Sequence, residues 1–174
     1  MAENAVSQDA VPQNDDSQRA VAEILRGNPW FQALKPSHFQ KMVDLASVMQ
    51  WHEGEMIFRE GDPGRYLFLI LEGHVALEIY LPGQGRKTIL TLGPDDVFGW
   101  SAVLPVVGTR TASARAVTLS RAVAFASQAL REACELDHDL GFHVFRRLTN
   151  VIAGRLSATR LQLLDMYAHD KGPS

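Results

Sequence analysis

The sequence predicts a mainly β protein carrying helices at both ends. Three observations predict it. Apolar spacing changes from helical to a period of two near Val48. Clusters of Gly, Pro and Asp then interrupt the chain at intervals of roughly ten residues. From Ser127 the helical pattern returns, and about thirty residues follow without a proline. Short strands with such frequent turns point to an antiparallel sandwich or barrel.

The elements follow in order. Residues 1–17 are rich in Ala, Gln, Asn, Asp and Ser and are expected to be a disordered tail. "SQRAVAEILRG" predicts a short helix capped by Ser17, with Val21, Ile24 and Leu25 inward and Gly27 at its end. "NPWFQAL" reads as a turn. "KPSHFQKMVDLAS" predicts a second helix with Ser37 as N-cap and Phe39, Met42, Val43 and Ala46 on one face. Strands then alternate with breaks at Glu53-Gly54-Glu55, Glu60 to Gly64, Glu72-Gly73, Pro82 to Gly85 and Gly93 to Asp96. "GQG" at 83–85 reads as a hairpin tip. "RTASARAVTLSRAVAFAS" supplies two further strands, for an eight-stranded roll in all. "SQALREACELD" is a short helix.

A long helix follows, residues 138–168, with a polar tail at 169–174. Its Phe142, Phe145, Thr149, Ile152, Leu156, Thr159, Leu163 and Met166 alternate spacings of three and four, a heptad seam. Leu148, Val151, Leu161 and Leu164 widen the apolar surface. One face is expected to pack on the roll while the seam meets a second copy in a two-fold dimer. The alternative is that the whole stripe packs within one chain. Residues 18–137 form the roll domain with its N-terminal helices.

Composition bounds the function. The chain has 174 residues, a formal net charge of −3 and a single cysteine, Cys134. That excludes an intrachain disulfide and gives no general attraction to nucleic acid or an anionic membrane. No apolar run reaches the length of a membrane span, and the N-terminus lacks a signal-peptide pattern. A cytoplasmic protein is expected. No Gly-x-Ser-x-Gly elbow, P-loop or His-Glu-x-x-His occurs, so no enzyme is expected. His138 and His143 stand five apart, off the spacing that places two metal ligands on one helical face. Cys134 has no basic neighbours to activate it. Arg146, Arg147 and Arg155 read as the polar face of the long helix.

Two stretches carry a family resemblance. "EGEMIFREGDPGRYLFLILEGHVAL" places Gly54, Gly61, Asp62 and Gly73 in a recurring pattern, and "GPDDVFGWSAVL" is followed by "TRTASARA". From about Phe39 to Met166 the sequence resembles the cyclic-nucleotide-binding domain, most closely its bacterial form in catabolite-activator and nitrate/fumarate-type regulators. The resemblance implies an eight-stranded β-roll of the jelly-roll type. It also implies a site built from Phe98, Gly99, Trp100, Ser101, Ala102, Arg110 and Thr111, with Thr159 at a position that touches the base.

The chemistry suits that role. Gly99 permits close backbone approach into a one-turn helix. Arg110 offers a planar, permanently charged fork for a phosphate, and Thr111 adds a hydroxyl. The family's cassette usually reads Phe-Gly-Glu, its carboxylate accepting the ribose 2′-hydroxyl. Here Trp100 replaces it, and indole is a donor only. Such a loss costs about 1.5–3 kcal/mol, roughly ten- to a hundred-fold in affinity. The ring fills part of the pocket, stacks on a base or turns outward. Arg160 stands where a small hydroxyl residue is common.

The expected ligand is cyclic AMP, cyclic GMP or a related anion, with no cofactor required. An effector protein would receive the signal, and a scaffold with a degenerate pocket is the alternative. The family's transcription factors carry a DNA-binding domain after the long helix. This chain ends at "AHDKGPS", so DNA binding is not expected.

Overall fold

The computed structural model describes residues 15–104 and 109–169. Most of the expected tail, residues 1–14, and the tail at 170–174 lie outside them, as do residues 105–108. Helix α1 runs Asp15–Gly27. Ser17 lies inside it, so it is not the N-cap that the sequence predicts. Helix α2, Pro36–Asp44, also corrects the sequence reading. Lys35 occupies the cap position with extended backbone, and Pro36 opens the first turn, so Ser37 lies inside the helix. Proline at that place needs no N–H partner and has a helix-ready φ. The helix stops before Ala46, which opens the first strand instead.

Eight strands follow: β1 Ala46–Trp51, β2 Met56–Phe58, β3 Tyr66–Glu72, β4 Val75–Leu81, β5 Gly85–Leu92, β6 Val97–Phe98, β7 Ser113–Ala116 and β8 Ser120–Ala126. They form two four-stranded antiparallel sheets, ordered β1-β8-β3-β6 and β2-β7-β4-β5. This is the eight-stranded roll the sequence predicts. The turns fall at the predicted breaks. At Gly73, φ is +81°, and an added Cβ would lie 2.3 Å from the carbonyl oxygen of Leu119. Only glycine accepts both conditions.

Period two explains how β3 and β8 serve two cores. Phe68, Ile70, Ala122 and Ala124 face the space between the sheets. Leu67, Leu69, Val123 and Phe125 face the helices on the outside. Small alanines at 114, 116, 122 and 124 leave room between the sheets for Trp51, Phe68 and Phe98. Phe68 and Phe98 stack at 4.8 Å between ring centres. The second sheet is open to solvent on its outer side, where Tyr80 and Ile89 are exposed.

Helix α3, Ser127–Leu136, leads directly into α4, His138–His169. Leu140, Val144 and Leu148 of α4 are buried in the outer core, and Val151 packs against it. The heptad seam is divided: Phe142 is 63% exposed and Leu156 51%, whereas Phe145 is partly buried against the outer core and Ile152 is half-buried. Thr149 and Thr159 are exposed too, and their hydroxyls donate back to the carbonyls of Phe145 and Arg155. The side chains of Leu163 and Met166 lie outside the described residues. The α3–α4 junction is tied to α2 through Asp137, whose Oδ2 lies 2.7 Å from Lys41 Nζ and 3.3 Å from the buried His38 Nε2.

Two outcomes are expected. Leu148→Ala removes a side chain only 1% exposed and should destabilise the fold by about 2–5 kcal/mol in urea denaturation. The Asp137 carboxyl is held down to about 2, first by the Lys41 hydrogen bond and then by the Leu140 N–H. Its folded value is depressed, so its contribution is complete above the ordinary 3.8 and disappears as pH falls through about 2. Thermal midpoints between pH 5 and 2 should therefore fall less steeply for Asp137→Asn than for wild type.

Candidate functional site

The expected cassette begins where β6 ends. Val97 and Phe98 pair with Leu69 and Phe68 of β3. Gly99 then turns the chain with φ +74° into a one-turn 3-10 helix, Trp100–Ala102. An added Cβ at Gly99 would meet Arg110 Nη1 at 2.6 Å and the Tyr66 carbonyl at 3.0 Å. Glycine is needed here for its conformation and for the close approach of an arginine.

Arg110 lies just ahead of β7 and is 3% exposed. Its Nη1 donates to the Gly99 carbonyl at 2.7 Å and its Nη2 to the Tyr66 carbonyl at 2.8 Å. The guanidinium sits 4.0 Å over the Phe58 ring, a cation–π contact. Its Nε has no partner. Burial pushes its pKa down to about 10, partly opposed by Asp62, and at neutral pH it remains a cation.

Two further arginines hold the same turn. Arg131 of α3 donates to the Ala102 carbonyl at 2.9 Å. Arg155 of α4 donates through Nη2 to the Val97 carbonyl. Carbonyls 97, 99 and 102 are thus each met by a guanidinium from a different part of the chain. Arg155 corrects the sequence reading, which placed it on the polar face of the helix. Its Nη1 is buried without a partner, and burial lowers its pKa while Asp96 opposes the shift. The signal was present in the spacing. Leu140, Val144, Leu148 and Val151 form the inward stripe of α4, and Arg155 is its next member.

Two spaces adjoin this turn. A narrow crevice of about 30 Å³ is lined by Phe58, Leu77, Gly99, Trp100, Ser101, Thr111, Ala112 and Arg155. A wider cavity of about 500 Å³ has Arg110, Arg59, Arg65 and Tyr66 among its lining residues, and Phe58 borders both spaces. The structure therefore brings Gly99, Trp100, Ser101 and Thr111 together, with Arg110 against the same turn. It separates three expected residues from them. Phe98 is 0% exposed and stacks in the roll interior. Ala102 is buried, and its carbonyl is taken by Arg131. Thr159 is exposed, one turn beyond Arg155. Trp100 lines the crevice and packs on the outer core between sheet and helices. Among the described residues no group of three His, Cys, Asp or Glu side chains could hold a metal ion, and no helix is long and apolar enough to cross a membrane. Cys134 is buried, and its thiol is pushed up to about 11 by burial.

Comparison with known proteins agrees with this architecture. A "CRP-like cAMP-activated global transcriptional regulator" of Mycobacterium tuberculosis is 32% identical over 149 residues. The match covers 85% of this chain and 64% of that protein, so the chain spans less than two thirds of this relative's length. A crystal structure of a cyclic nucleotide-binding protein from Geobacter metallireducens superposes with a TM-score of 0.70 at 27% identity, covering 78% of this chain and 97% of that one. A cyclic nucleotide-binding domain from Methylobacillus flagellatus shares the fold with a TM-score of 0.74 at 22% identity, over 90% of this chain and 88% of that one. The family described as "Cyclic nucleotide-binding domain" matches residues 48–137, just over half of the chain and the whole of the roll from β2 to β8. This chain belongs to the cyclic nucleotide-binding domain family.

Proposed function

We propose that the chain is a non-catalytic sensory module. It binds cyclic AMP, cyclic GMP or a related phosphate anion between the Gly99 turn and the roll wall. It signals through α4 to a partner protein, in the cytoplasm and as a homodimer. One observation carries this reading: a guanidinium sealed inside the roll at 3% exposure, with a donor unmatched, beside a turn built around its tip. A charged group buried without an ionic partner is costly. An anionic ligand recovers that cost through charge-assisted hydrogen bonds. Arg155 supplies the route outward, because one side chain joins the site to the helix that bears the exposed seam. The names of the Mycobacterium tuberculosis regulator and the Methylobacillus flagellatus binding domain support a role without catalysis.

A second reading rests on the crevice itself. About 30 Å³ is roughly the space of one water molecule. Trp100 and Arg155 line that crevice, which has no room for a nucleotide. A protein-interaction scaffold with a closed pocket fits that observation. The sensor reading requires Arg155 to leave the Val97 carbonyl when ligand enters.

Titration calorimetry with cyclic AMP and cyclic GMP separates the two. The sensor binds at least one of them, and Arg110→Ala weakens it by about ten- to a hundred-fold, the loss of a charged hydrogen-bond partner. Arg110→Lys keeps the charge without the fork and should recover only part of the affinity. No heat from either nucleotide at millimolar concentration selects the scaffold. Separately, Phe142→Glu with Leu156→Glu should shift the protein from dimer to monomer in sedimentation while leaving its circular dichroism unchanged, because both side chains are exposed in the single chain. A monomeric wild type would end the dimer assignment.

A further inference from the structure

Arg110 bridges two backbone segments, the turn at Gly99 and the start of β3 at Tyr66. A second bridge crosses the same pair of segments from α3. Ser127, the buried first residue of that helix, donates its hydroxyl to the Gly64 carbonyl at 2.9 Å and its N–H to the Arg65 carbonyl at 2.8 Å. Arg131, one turn further along α3, donates to the Ala102 carbonyl at 2.9 Å. Carbonyls 64, 65 and 66 are thus taken in succession, two by Ser127 and one by Arg110. Between the two bridges the segments touch: a Cβ added at Gly64 would lie 2.5 Å from the Ala102 Cα. The main chain of Arg110 joins the same loop, accepting from the Gly61 N–H and donating to the Asp62 carbonyl, both at 2.9 Å.

We infer that Ser127 and Arg131 are positioning residues for Arg110, setting the gap that its fork spans. A guanidinium is flat and its nitrogens are fixed relative to one another. It keeps both carbonyls only while the two segments stay at one separation. The Gly64–Ala102 contact stops the segments from closing further. The hydrogen bonds of Ser127 and Arg131, made from one turn of one helix, hold them from parting. An anion that draws Arg110 off either carbonyl therefore loads the α3 bridge. Ligand binding and the seating of α3 are linked across this seam, apart from the Arg155 contact made by α4. The ligand half of this inference rests on the sensor reading, whereas the placing of Arg110 does not.

The test follows the Nε–H resonance of Arg110 by NMR in the full chain, isotope-labelled on nitrogen; burial of that nitrogen slows its exchange. Ser127→Ala should move the resonance. It should also weaken cyclic AMP or cyclic GMP in calorimetry by about three- to tenfold, the worth of one neutral hydrogen bond. Arg131→Gln should move the same resonance from the other end of the bridge, and it carries the test if Ser127→Ala does not fold. Ser120→Ala is the control and should do neither. Its hydroxyl is also buried, lies on the Thr118 carbonyl at 2.8 Å and sits at the opposite end of β8. In an Arg110→Lys background, Ser127→Ala should cost no further affinity, because the fork it positions is gone. A resonance that stays in place in both bridge variants, or that moves equally in Ser120→Ala, overturns the inference. So does a Ser127→Ala loss that persists in full beside Arg110→Lys. If wild type binds neither nucleotide, the sensor reading falls, and the resonance alone decides the positioning role.

Discussion

The structure depends on one guanidinium enclosed between two sheets. Arg110 joins the Gly99 turn to the start of β3 through the carbonyls of Gly99 and Tyr66, and its flat face rests on Phe58. A permanent charge in an apolar chamber is tolerated only where its donors are matched and its face is covered. Much of the surrounding architecture meets that demand. Gly99 has no Cβ, so the carbonyl comes within reach. The alanines of β7 and β8 make room for the Phe68–Phe98 stack behind it. The demand is met incompletely, and the remaining unmatched Nε is what turns a structural arginine into a candidate receptor for an anion.

The same turn is where the roll meets its helices. Arg131 from α3 and Arg155 from α4 take the carbonyls of Ala102 and Val97, so three parts of the chain converge on six residues. A backbone turn held by side chains can be released by side chains. An anion that outcompetes a carbonyl for Arg155 changes what holds α4 to the roll beyond Val151. Leu140, Val144 and Leu148 keep the first half of the helix docked in the outer core. Its second half carries the exposed Leu156, Leu161 and Leu164. A ligand acts on such an element only through a difference in affinity between its arrangements, and Arg155 is the side chain that joins α4 to the carbonyl of Val97.

Trp100 shows how a single substitution changes a site without erasing it. The ring spans the crevice and the outer core. It therefore both removes an acceptor and fills space. The backbone of the turn is set by Gly99, and three arginines hold its carbonyls.

The sequence alone determined the order of the elements, the eight strands and their turns, and the hairpin at 83–85. These follow from periodicity and from glycine and proline, properties a residue carries with its nearest neighbours. Helix starts were less legible: Ser17 and Ser37 were credible caps, but both lie inside their helices, and Pro36 opens the second. The cassette from Gly99 to Thr111 was legible as a motif. Only the tertiary structure decided which of its members line a shared space. It sent Phe98 into the roll interior, left Thr159 on the surface, and brought Arg155 from a distant helix to the Val97 carbonyl. An arginine on an inward stripe and one on a polar face are the same letter in the chain. What distinguishes them is the rotation of α4 on the roll, and that rotation is set by how Leu140, Val144 and Leu148 pack against residues far away in sequence.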